Sequence, residues 1–93
     1  MWRIEEHCRL DKQVANAPIE ILKRYEKWKD IGSISGPPGL RLIKGFHDEA
    51  LAGNWAGHRA SRLGEKWRVI YRVVAADLLF QVASITAHDY RRP

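Results

Sequence analysis

The chain is 93 residues long, 45% hydrophobic and 29% charged, with a formal net charge of +5 and a single cysteine. That is enough apolar chain for one domain over residues 1–93, and it excludes wholesale disorder and an intrachain disulfide. The positive excess is local and points to an anionic partner: His58 to Pro93 carries seven Lys and Arg against three Asp and Glu, whereas Met1 to Gly57 carries nine against eight.

The first residues, MWRIEEHCRLDK, are too charged for a signal peptide, and no apolar run approaches a membrane span, so a cytoplasmic chain is expected. Trp2 to Cys8 alternates, with Trp2, Ile4 and Cys8 on one face and Arg3, Glu5 and His7 on the other. This is the period of a half-buried strand, with Cys8 as a small buried hydrophobe and His7 at the surface. Asp11 can cap a short helix running through Asn16. A second helix is expected from Ile19 to Ile31, because Ile21, Leu22, Tyr25, Trp28 and Ile31 form one stripe at spacings of three and four. Glu20 and Arg24 make a favourable i,i+4 pair on its polar side. Gly32 ends it, and Gly36-Pro37-Pro38-Gly39 opposes continuation.

Leu40, Leu42 and Phe46 are expected under the sheet, with Lys44, His47 and Asp48 as polar loop residues. Asp48 to Ala52 can form a helical turn that Gly53 ends. Three strands follow: His58 to Leu63, Lys66 to Val74 and Leu78 to Thr86. In the second, Trp67, Val69, Tyr71 and Val73 face one way and Arg68, Ile70 and Arg72 the other. The third is apolar on both faces, as an interior strand is. Short turns make the three an antiparallel meander, so the fold class is α+β: an N-terminal strand, one or two helices, then the meander.

Strand directions bring particular side chains together. Arg68, near the start of the second meander strand, lies beside Arg62, near the end of the first. The third strand returns antiparallel, so its exit at His88 and Tyr90 comes back toward Arg68. Arg59, His58 and Arg91 lie at the rim. This set has the right types for cleaving an RNA phosphodiester without a metal. Histidine can serve as acid or base near neutrality, arginines fork onto phosphate oxygens, and tyrosine can orient a phosphate or stack on a base. The same HDYRR ending also reads as an ordinary charged strand terminus. The four histidines are scattered, with no H-x-x-x-H or C-x-x-C, so neither a metal nor a cofactor is expected.

At these residues the chain resembles the RelE/ParE superfamily of bacterial toxin–antitoxin toxins, and within it the RelE/YoeB/YafQ ribonuclease branch. The resemblance rests on LAGNW from Leu51, RL at Arg62, WRVIY from Trp67 and ITAHDY from Ile85. It implies a RelE-like, microbial-ribonuclease-like fold and an mRNA interferase that cleaves ribosome-associated mRNA and is neutralised by a cognate antitoxin. It places the family's strand arginine on Arg68, its C-terminal acid/base on His88 and its terminal aromatic on Tyr90. Its first-strand cations fall near Arg59 and Arg62. With these, His58, Lys44 and Arg91 complete the expected phosphate contacts. The glutamate that is the base in some members has no clear counterpart, and Asp48 and His47 are the nearest candidates. Two other readings use the same basic sheet: a ParE-like toxin that binds and inhibits gyrase, and a non-catalytic RNA- or ribosome-binding module.

Overall fold

The computed structural model describes residues 1–87, which form a five-stranded sheet with helices packed against one face. In chain order the elements are β1 (Arg3–Glu6), α1 (Leu10–Asn16), α2 (Ile19–Leu42), β2 (Glu49–Ala50), β3 (Arg59–Arg62), β4 (Arg68–Val74) and β5 (Leu79–Thr86). The sheet order is β1-β5-β4-β3-β2. The α+β expectation holds, and the expected meander is β3, β4 and β5. It is longer by one short antiparallel strand, β2, at one edge, and it is closed at the other by β1, which runs parallel to β5. Among the described residues no helix is long and apolar enough to cross a membrane.

Alternation sets the two faces. Trp67, Val69, Tyr71 and Val73 pack on the helices, and Arg68, Ile70 and Arg72 lie on the opposite, outer face. On β5, Ile70 pairs with Ser84 while Tyr71 pairs with Val82, so Ala83 is an extra residue, a β-bulge. The bulge lets Phe80, Val82 and Ile85 all enter the core despite their uneven spacing. Beyond Glu6 the free edge of β5 is covered by α1. There the Ile85 N–H donates to Gln13 Oε1 at 2.7 Å, and Gln13 Nε2 donates to Ser84 Oγ at 3.0 Å.

The aromatic stripe of α2 is core, as its spacing predicts. Trp28 is fully buried and meets Tyr71 and Phe80 edge-on at 5.0 and 5.6 Å, with Tyr25 stacked on it at 5.9 Å. The expected end at Gly32 is overturned. The helix runs through Gly32, where an added Cβ would sit 3.2 Å from the Phe80 ring, so glycine lets the helix approach the sheet closely. The break falls at Gly36 (φ 68°, ψ −169°), backbone that glycine alone adopts readily. Pro37 then opens a fresh helical turn, where its fixed φ and missing N–H carry no penalty.

Other local expectations also change. Leu42 is 81% exposed, whereas Leu40 and Phe46 are buried as expected. Cys8 is exposed, because β1 ends at Glu6 before the alternation reaches it. Arg24 lies over the Phe46 ring at 4.7 Å rather than pairing with Glu20. The stretch read as a helical turn from Asp48 is instead β2, flanked by 3₁₀ turns at Lys44–Phe46 and Gly53–Trp55.

Candidate active site

Arg62 and Arg68 are direct cross-strand partners, and Arg68 pairs on its other side with Thr86, the last residue of β5. All three share the outer face. Two arginines opposite one another repel, which a structure without an anionic partner has reason to avoid. The β3–β4 hairpin partly offsets this. Arg68 Nη1 donates to the carbonyls of Trp67, Gly64 and Glu65 at 3.0, 3.3 and 3.4 Å, which turns the guanidinium back over the turn. Arg62 is exposed. The result is an oriented, doubly cationic end of the sheet, suited to a phosphate.

Arg59 is not part of this pair. It stands opposite Tyr71, on the helix side of the sheet, and its Nε donates to Asp48 Oδ1 at 2.6 Å. Asp48 is the centre of a buried polar network. Ser61 Oγ donates to its Oδ2 at 2.7 Å, the Tyr71 hydroxyl donates to the same oxygen, and Trp28 Nε1 donates to Ser61 Oγ at 2.9 Å. Burial, reinforced by the Asp48 carboxylate, pushes the Tyr71 hydroxyl above its ordinary value. Burial also acts against the Arg59 cation, but the hydrogen bond and charge of Asp48 outweigh it and hold Arg59 protonated more firmly than usual. The Asp48 carboxylate is enclosed by these donors on the helix side of the sheet, away from the face that carries Arg62 and Arg68.

The remaining candidates are spread out. His58 precedes β3 and lines an outer-face groove with Arg72 and Gln81, its ring edge-on to Trp55 at 5.2 Å. Lys44 is exposed in the first 3₁₀ turn, and the exposed His47 follows it with positive φ. His88, Tyr90 and Arg91 lie outside the described residues. Sequence reasoning passed over Glu49. Through the register Glu49–Ala60–Ile70 it shares the outer face with Arg62 and Arg68, one row along. It was hidden because its stretch carries no strand alternation, and two residues are too few to show any. Among the described residues no group of three His, Cys, Asp or Glu is placed to hold a metal.

This architecture, with paired cations at the open end of a mostly antiparallel sheet backed by helices, is a RelE-type α+β fold. The solved structures it resembles include RelE, YoeB and YafQ proteins. The archaeal RelE of the RelE–RelB complex from Pyrococcus horikoshii OT3 is 25% identical and superposes with a TM-score of 0.72 over 91% of this chain and 92% of that one. YoeB of the Staphylococcus aureus YoeB–YefM complex is 20% identical, with a TM-score of 0.70 over 96% and 99% of the two chains. YafQ of the E. coli DinJ–YafQ toxin–antitoxin complex is 18% identical, with a TM-score of 0.63 over 91% of each. No protein-family model and no curated protein matches the chain.

Proposed function

We propose that this protein is the toxin of a toxin–antitoxin pair and acts as a metal-independent endoribonuclease on mRNA. The observation that carries the reading is the Arg62–Arg68 cross-strand pair, beside the exit of β5 and on the face that also holds Glu49. His88 follows Thr86 by two positions in the sequence. In the proposed reaction Glu49 takes the proton of a 2′-hydroxyl, whose oxygen attacks the adjacent phosphorus. The bond to the 5′-oxygen breaks, and His88 protonates that oxygen. The products are a 2′,3′-cyclic phosphate and a 5′-hydroxyl end. Arg62 and Arg68 stabilise the charge that builds on the non-bridging oxygens, and Tyr90 orients the phosphate or stacks on a base. A preorganised cation of this kind contributes on the order of 10²–10³ in rate.

The likeness to toxins solved with RelB, YefM and DinJ supports a cognate antitoxin as partner, one that covers the cationic outer face and so blocks it. Ribosome-associated mRNA is the proposed substrate, and loss of translation the outcome. The test is expression of wild type, Arg68→Ala, His88→Ala and Glu49→Gln, with mapping of mRNA 5′ ends and growth. Codon-phased cleavage lost in all three variants is expected. Growth arrest with DNA damage and no cleavage would identify a gyrase-directed toxin instead, and a non-toxic wild type that still binds RNA would leave only a binding module.

A further inference from the structure

We propose that the groove across the outer face, from β1 to the start of β3, is a nucleobase subsite that selects guanine. The inference rests on the ribonuclease reading, because it assigns the groove to the RNA strand cleaved at Arg62 and Arg68. From Arg68 to Arg72 is four residues along one strand, about 13 Å, so the groove takes a nearby nucleotide rather than the one being cut.

The groove has a volume of about 270 Å³ and is lined by Glu5, His58, Arg72, Gln81 and Ala83 among others. That is smaller than the pockets of roughly 300–1,000 Å³ that hold drug-sized ligands, and it suits a single heterocycle. Ala83, the bulged residue, also lines it; it has no partner on β4 and only a methyl side chain.

A polar ladder crosses three strands along its length. Arg72 Nε donates to Gln81 Oε1 at 2.6 Å, and Gln81 Nε2 donates to Glu5 Oε1 at 3.1 Å. Arginine only donates and a carboxylate only accepts, so the Gln81 amide has one orientation and the ladder has a direction. Its Arg72 end offers the terminal guanidinium nitrogens as donors, and its Glu5 end offers the second carboxylate oxygen as acceptor. Guanine complements both ends. Its O6 and N7 accept from arginine, and its N1–H and N2 amino group donate to a carboxylate. Adenine keeps the N7 acceptor but carries a donor at N6 in place of O6 and an acceptor at N1 in place of N1–H, so it loses one acceptor for the arginine and both donors for the carboxylate. His58 adds an unmet group: its Nδ1 is buried with no partner among the described residues, in the wall beside Arg72.

The experiment uses the full chain and short RNAs made non-cleavable by a 2′-deoxy substitution at the scissile nucleotide, with affinity read by fluorescence anisotropy. One position at a fixed distance from the scissile bond should prefer guanine over adenine by ~10-fold or more. Inosine, which lacks the N2 amino group, should bind more weakly than guanine there. Glu5→Ala and Ala83→Leu should each abolish the preference, the first by removing the acceptor and the second by filling the groove without changing charge. Circular dichroism confirms that each variant is folded. No single-base preference, or one that survives both substitutions, overturns the subsite. The two readings fail separately. A guanine preference in binding by a chain that never cleaves RNA keeps the subsite and sinks the nuclease. Codon-phased cleavage whose sites do not move in Glu5→Ala keeps the nuclease and sinks the subsite.

Discussion

The Asp48 carboxylate is 1% exposed and accepts from Arg59, Ser61 and Tyr71, so its removal leaves a cation and two hydroxyls facing a cavity. Breaking a buried pair in this way costs about 3–5 kcal/mol, so Asp48→Ala should lower the unfolding free energy by roughly 3 kcal/mol in urea titrations. A variant of unchanged stability that had lost only cleavage would show that Asp48 is chemical rather than structural. The network was invisible in sequence because its members, Trp28, Asp48, Ser61 and Tyr71, are joined only by tertiary packing. The Arg62–Arg68 pair was legible, because a tight hairpin fixes which residues face each other. Parity also separates Arg59 from Arg62, since residues three apart on a strand point to opposite faces.

At the scale of elements, the break in α2 is the most informative position. Gly36 adopts φ 68° and ψ −169°, and an added Cβ would lie 2.6 Å from Trp2 Nε1. Backbone in this region costs any other residue about 1–3 kcal/mol, and the clash adds to it. Gly36→Ala should therefore lose about 3 kcal/mol in a denaturant titration and displace the Trp2 indole, whereas Pro38→Ala, at an exposed position, should change stability by under ~0.5 kcal/mol. Sequence reading saw the Gly-Pro-Pro-Gly punctuation but not its sense. Proline both stops a helix and starts one, and only the packing of Leu40 in the core decides that a second turn follows. β4 and β5 were legible because seven and eight residues show alternation or continuous burial, whereas β2 has two residues and no period to read.

At the scale of the whole molecule, two buried tyrosines shape the response to pH. Burial raises Tyr25 and Tyr71, and the hydrogen bonds to Glu6 and Asp48 raise them further. An unfolded tyrosine titrates near 10, so neither residue affects stability below about pH 10. Above it the unfolded chain loses protons that the folded chain keeps, and stability falls by about 1.4 kcal/mol per pH unit for each tyrosine. Urea titrations from pH 8 to 11 should be flat up to about 10 and then decline, and Tyr71→Phe should halve the tyrosine part of the slope. An unchanged slope in that variant would mean that Tyr71 ionises freely in the folded state.

The parallel pairing of β1 with β5 has a consequence for how the molecule comes into being. The first strand of the chain finds its partner only in the last described strand, with more than seventy residues between Arg3 and Leu79. Contacts of such long range are made late and slowly, after the loop between them has closed. During synthesis the segment up to β4 has no β5 to hold Tyr71, Val69 and Arg68 in line. The cationic end of the sheet is therefore assembled only once β5 has been made, so an incomplete chain does not yet present the Arg62–Arg68 pair in its final setting.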